Sequence, residues 1–287
     1  MDERKQIPAS GRKQGFNGPA MAELQRAPEV HQIAPTDGEP PALAIADVVE
    51  VFRKWLHLPD PALIELTLGA VAANRLPGDP VWLLAVGPPG SGKTEVVQSI
   101  AKLPNVHMVA TLTEAALLSG TPSKDRGKTS TGGLLRSVGD FGIVLLKDFT
   151  SVLAMKHETR GAMLAALREV YDGNWTRHVG VDGGRTLFWQ GKLALIGGCT
   201  PIIDQHHAVM ATMGERFLLF RLPKVEADEQ GERALRHAGR ERVMRAELSE
   251  AVTNFFRAVR IPDELPALTA AERDWLIALS TLVVRCR

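Results

Sequence analysis

Cysteine is almost missing from this chain: its 287 residues contain two, Cys199 and Cys286. Two thiols so far apart supply neither a zinc-site spacing nor a disulfide framework, and they predict a reducing, cytoplasmic setting. Long apolar runs are missing as well. No stretch approaches the roughly 20 residues that span a bilayer, and the opening MDERKQIPASGRKQGFNG lacks the apolar core of a signal peptide, so no membrane partner is expected. Nor does either charge dominate. With 34 Lys and Arg against 33 Asp and Glu, the formal net charge is +1. That excludes a globally basic nucleic-acid binder and leaves a local patch as the route to such a partner. Internal repeats are absent too.

What is present reads as a soluble globular protein. Apolar residues make up 45% and charged residues 23%, and the length predicts one large α/β domain with helical additions. Residues 1–40 are rich in Pro, Gly, Gln and charge without an apolar period, which predicts a disordered leader. Residues 41–225 are expected to hold two helices and the core. Ile45, Val48, Val49, Phe52 and Leu56 recur at helical spacing, and a second apolar stretch follows from Leu63 to Asn74. Val81 to Val86 is a short apolar run between Pro80 and Gly87, the pattern of a strand covered on both faces. Further strands are expected at Val106 to Leu112, Ile143 to Leu146, Leu193 to Ile196 and Phe217 to Leu222. A helical segment from Ser151 to Tyr171 presents Met163, Leu164, Leu167, Val170 and Tyr171 on one face. The alternation of strands and helices predicts a mainly parallel sheet with helices on both sides. Residues 226–287 read as a charged helical lid, and the uncapped apolar stripe Trp275, Leu276, Leu279, Leu282, Val283 suggests a chain that continues beyond Arg287.

The strongest motif is Gly87-Pro88-Pro89-Gly90-Ser91-Gly92-Lys93-Thr94, which satisfies G-x-x-x-x-G-K-[ST] between an expected strand and an expected helix. Glycines let backbone N–H groups converge on phosphate oxygens, and the helix through Glu95 adds its positive end. Lys93 would reach the β and γ phosphates, and Thr94 would ligate magnesium. ATP and Mg2+ are therefore the expected cofactors. A second acidic element ends the strand Ile143 to Leu146, where Lys147 is followed by a single acid, Asp148. Four apolar residues followed by Asp-Glu would be usual. In strict alignment Asp148 takes the water-polarising position; shifted by one residue, it is the metal ligand. A structural alternative makes it a helix cap.

The remaining motifs arrive in the order of the AAA+ ATPases, which the chain resembles from about Ala42 to Leu222. The resemblance implies a three-layer P-loop core with a five-stranded, mainly parallel sheet, and a polar sensor ending the strand LALIGGCTP. That places the sensor role on Thr200. It also implies an arginine that reaches a neighbouring subunit's nucleotide, and Arg216 in MGERF stands at that place, with homo-oligomers, ring-shaped in many members, as the corollary. Capping by Thr200 and a surface salt bridge by Arg216 are the plain alternatives. Asn174 to Trp189, with Asp182-Gly183-Gly184 as turn residues, reads as a β-hairpin and resembles the pre-sensor hairpin of the branch with minichromosome maintenance helicases, magnesium chelatases and enhancer-binding activators. Arg177, His178 and Arg185 could meet phosphates there; otherwise Trp175 and Trp189 simply complete the core. A second sensor arginine falls to Arg285 or Arg287. GDPVWLLAVGPPGSGKTE and MGERF also resemble ATP-binding proteins of actinobacterial phages and mobile elements.

His206-His207 is an adjacent pair without acidic or Cys company and is not expected to bind metal. Arg233, Arg236, Arg240, Arg242 and Arg245, interleaved with glutamates, read as a solvated helix face. Taken together, these features predict a Mg-dependent ATP hydrolase, with Lys93, Asp148, Thr200 and Arg216 catalytic, acting on DNA or a DNA-bound partner. A nucleotide-dependent switch with weak hydrolysis and a P-loop kinase are the rival readings.

Overall fold

The computed structural model describes residues 43–119, 133–180, 185–224, 227–262 and 267–285. The leader, the hairpin turn Asp182-Gly183-Gly184, Cys286 and Arg287 lie outside these residues, as do the side chains of Arg185 and Arg285.

Helices α1 (Ile45–Trp55) and α2 (Ala62–Asn74) precede the sheet. The buried face of α1 carries Val48, Val49, Phe52 and Trp55, while Ile45 is exposed; the expected stripe residue Leu56 is half-buried just past the helix end, and Trp55 takes its place on the buried face. Asn74 ends α2 and is fully buried. Its amide donates to the Val81 carbonyl at 2.9 Å and accepts the Val81 N–H at 2.8 Å, a reciprocal pair that fixes the entry of the first strand.

Strands β1 (Trp82–Val86), β2 (Val106–Val109), β3 (Phe141–Leu146), β6 (Lys192–Cys199) and β7 (Phe217–Arg221) form one sheet in the order β2-β3-β6-β1-β7, every pair parallel. Its members alternate between two cores. Trp82, Leu84 and Val86 pack on one side; Leu83 and Ala85 pack on the other. Helix α7 (His157–Tyr171) covers the first face through Met163, Leu164, Leu167 and Val170; α1, α2 and α10 (Glu241–Ala258) cover the second. Helix α10 contributes Met244, Leu248, Ala251, Val252 and Phe256 to this core. Helix α11 (Ala270–Arg285) exposes Trp275, Leu276, Leu279 and Leu282.

Several expected boundaries move, and β6 runs on past Ile196 to Cys199. Strand β2 stops at Val109 because its partner β3 ends opposite, at Leu146. The helical stretch after Asp148 is two helices, α6 (Thr150–Leu153) and α7, separated where Lys156 turns extended (φ −55°, ψ 146°). Arg160 bridges the break by donating to the Leu153 carbonyl at 2.8 Å.

The hairpin is present as β4 (Asn174–Val179) and β5 (Arg185–Gln190), with Trp175 opposite Trp189. Both indoles are buried in the core under α7, and Trp189 Nε1 donates to the Gly139 carbonyl at 2.9 Å.

Candidate nucleotide-binding site

Because all five strands run parallel, their carboxyl ends share one edge. Val86 lies opposite Cys199 and Arg221, and Leu146 lies opposite Gly197. The residues that follow are therefore neighbours: the Gly87 loop, Lys147-Asp148, and Thr200. Crevices outside the carboxyl ends of such strands are where α/β sheets take ligands.

Within the loop, Gly90 (φ +81°) and Gly92 (φ +76°) hold left-handed backbone that disfavours a side chain. Gly87 answers to packing instead: a Cβ there would lie 3.1 Å from Ser91 Oγ and 3.3 Å from Leu222 Cβ. Ser91 Oγ is buried with no hydrogen-bond partner among the described residues. Pro88 and Pro89 are exposed at the tip. Helix α3 (Lys93–Gln98) starts directly from Gly92.

Lys93 is buried, and its ammonium donates to the Pro88 carbonyl at 2.8 Å, so the side chain folds back over its own loop. Burial pulls its pKa below the usual lysine value, and the charge of Asp148 works in the opposite direction. Gly198 of β6 lies under this lysine and tight against the end of β3. A Cβ there would stand 3.7 Å from both Cδ and Cε of Lys93 and 3.1 Å from the Lys147 carbonyl.

Asp148 is exposed; its Oδ1 accepts the Thr150 N–H at 2.9 Å, and its carbonyl accepts Ser151 Oγ at 2.8 Å. The carboxylate thus accepts the first N–H of α6 from the residue before its N-cap, Phe149, and at the same time lies within electrostatic reach of Lys93. Thr200 is partly buried at the end of β6, with its N–H and its hydroxyl each 3.2 Å from Thr150 Oγ1. Thr150 was not singled out from sequence; the Asp-x-Thr spacing, which favours an Asx turn, was the available signal. Thr94 sits in the first turn of α3, half-buried. Glu95, one residue on, gives its carboxylate to Arg245 of α10, whose Nε and Nη2 donate at 2.9 and 2.7 Å.

Beside Ser91 opens a small cleft, walled by Leu58-Pro59-Asp60 before α2, by Phe220 of β7, and by Leu222 and Pro223 after it.

Two expected groups lie elsewhere. Arg216 precedes β7, at the sheet end opposite the phosphate loop, since Phe217 pairs with Trp82 and Arg221 with Val86. One guanidinium nitrogen of Arg216 contacts both oxygens of Asp172 at 2.8 and 3.0 Å, another donates to the Met213 carbonyl, and the group lies 5.2 Å from the Tyr171 ring centre. Arg177 of the hairpin is turned inward, donating to Glu114 at 2.9 Å and to the Leu118 carbonyl. The outward positions of the hairpin carry Thr176, His178 and Phe188. The arginines expected to be solvated are mostly exposed but engaged: Arg233 donates to the Arg53 carbonyl, Arg236 pairs with Glu232, and Arg240 lies over Trp55.

No family model and no curated protein matches the chain. Among solved structures it is similar to the NrS-1 C-terminal region in an apo A form, at 14% identity and a TM-score of 0.39, over 85% of this chain and 54% of that one. It is also similar to JCV helicase with a bound phenoxyphenyl acetamide, at 16% identity and a TM-score of 0.39, over 83% of this chain and 62% of the other. The chain thus spans between half and two thirds of these neighbours, 54% and 62%. Its own architecture, a five-stranded parallel sheet between helices with the phosphate-loop sequence joining the interior strand β1 to α3, is an α/β fold of the P-loop NTPase kind.

Proposed function

We propose that this chain binds ATP with Mg2+, hydrolyses it, and couples turnover to remodelling or movement on DNA or a DNA-bound partner. The observation that carries the nucleotide reading is the seat of Lys93: buried, folded over a loop built on Gly90 and Gly92, with Asp148 and Thr200 at neighbouring strand ends. A phosphate oxygen is a stronger partner for an ammonium than the Pro88 carbonyl, because the bond is charge-assisted on both sides. The triphosphate would therefore draw Lys93 off its loop.

Thr94 and Asp148 offer the hard oxygens magnesium prefers. Among the described residues no cluster of three or more His, Cys, Asp or Glu competes for it, and this ion is commonly held by one or two carboxylates plus phosphates and water. Bound there, magnesium would neutralise charge on the phosphate oxygens. Asp148 either holds that ion or polarises the attacking water. Glu95, with its carboxylate taken by Arg245, serves the phosphates through its backbone only. The DNA-coupled part of the proposal rests on the hairpin, whose outer side offers His178 and Phe188.

The test is Mg-dependent ATP turnover by the full chain, alone and with single- or double-stranded DNA. Turnover that rises with DNA supports the proposal; ATP binding without turnover in every sample shifts it to a nucleotide-ordered switch. Lys147 favours that second reading, since Asp148 is the only acid directly after β3.

Arg216 stands about 13 Å or more along the sheet from the phosphate loop of its own chain, given four residue steps of a strand, so a catalytic role for it requires a neighbouring copy. Arg216→Ala and Lys93→Ala proteins are each expected to be inactive in an assembled sample. Mixed, they are expected to regain turnover, because intact loops then meet intact arginines. Mixtures that stay inactive would remove Arg216 from the site and leave it as the partner of Asp172.

A further inference from the structure

Thr150 touches both arms of the candidate site. Its N–H holds Asp148 Oδ1 at 2.9 Å, and its hydroxyl oxygen accepts the Thr200 N–H at 3.2 Å. The same oxygen lies 3.2 Å from Thr200 Oγ1 and 3.7 Å from Cys199 Sγ.

Hydrogen-bond polarity follows from the inventory of a hydroxyl, one proton and two lone pairs. The Thr200 N–H occupies one lone pair of Thr150. The Thr150 proton then has two acceptors in range, and the hydroxyl oxygen at 3.2 Å is nearer and stronger than the thiol sulfur at 3.7 Å. The Cys199 thiol, a weak donor, can turn its S–H to the second lone pair of Thr150. With Thr150 donating to Thr200 Oγ1, the Thr200 proton cannot lie along the same line. It must point away from Thr150.

We infer that Thr150 is a positioning residue that fixes the Thr200 hydroxyl as a hydrogen-bond donor toward the terminal phosphate. The inference rests on the nucleotide reading of the site. It assigns Thr150 no contact with substrate; it makes Thr150 the link through which the end of β3 sets the hydroxyl at the end of β6.

The experiment compares Thr150→Val, which keeps the shape and removes the hydroxyl, with Thr150→Ser, which keeps the hydroxyl. The full chain is assayed for kcat and KM for ATP, for melting temperature, and for relative affinity for a non-hydrolysable ATP analogue and ADP. One net hydrogen bond corresponds to roughly a three- to tenfold effect. Thr150→Val is expected to lower kcat and the preference for the triphosphate analogue over ADP by that factor, with KM and melting temperature held; Thr150→Ser is expected to stay near wild type.

Unchanged kcat and unchanged preference in Thr150→Val would overturn the inference. So would equal losses in Thr150→Ser, or losses that track a fall in melting temperature. Wild-type protein that binds nucleotide without turnover still decides the question through the preference. Wild-type protein that binds neither nucleotide would overturn the nucleotide reading itself, and this inference with it.

Discussion

Lys93→Ala is expected to abolish measurable ATP turnover while leaving the protein at least as stable as wild type. Removing one preorganised donor from developing transition-state charge costs about 10²–10³-fold in kcat, and Lys93 is the only lysine seated within the phosphate loop. The stability half of the prediction comes from its burial. Desolvation lowers the lysine pKa, so the folded state holds the charged form at a cost. The ammonium offsets part of that cost with its bond to the Pro88 carbonyl. Alanine removes the penalty together with the bond, so the melting temperature should hold or rise, as it does where a functional group is kept against stability. Steady-state turnover and thermal melts on the same two samples check both halves. A variant that loses activity and unfolds early would show that Lys93 is needed for the loop's fold, and would take the catalytic assignment with it.

The sheet was legible in the sequence because each strand is a short apolar run bounded by Gly, Pro or charge, and parallel strands buried on both faces leave just that trace. Convergence on one edge then followed from topology: once β1, β3 and β6 are parallel neighbours, the residues after Val86, Leu146 and Cys199 meet. What escaped was whatever depends on a partner distant in sequence. Strand β2 is short because β3 ends, and nothing in Ala110 to Leu112 announces it. The pairing of Glu95 with Arg245 joins residues 150 apart. Arg177 carries a charge that sequence alone would place in solvent, yet α4 (Glu114–Leu117) supplies an acid, and Leu118 just past its end a carbonyl, that turn it inward. The cleft beside Ser91 is assembled from the segment leading into α2 and the end of β7, so neither segment reads as a site by itself.

The opposite end of the sheet should behave in the reverse way. Trp82→Ala is expected to destabilise the protein by about 3–5 kcal/mol, the range for deleting a large buried aromatic. Trp82 is fully buried at the start of β1, with its ring 5.1 Å from Tyr171 and 5.0 Å from Phe217, and its indole N–H donates to the Leu193 carbonyl at 2.7 Å. Trp82→Phe keeps an aromatic ring but leaves that carbonyl without its indole donor, so a smaller loss of about 1–3 kcal/mol is expected. Chemical denaturation gives both numbers. The comparison also reaches function, because Tyr171 and Phe217 flank the turn that carries Arg216. Loosening Trp82 should therefore weaken the pairing of Arg216 with Asp172 before it disturbs Lys93, which lies beyond the other end of β1. In mixing experiments, Trp82→Phe protein with an intact phosphate loop should bind ATP as wild type does. It should fail specifically as the donor of arginine to a neighbour. Equal loss of ATP binding would mean that the two ends of β1 are one cooperative unit, and that the division between a functional edge and a stabilising edge does not hold.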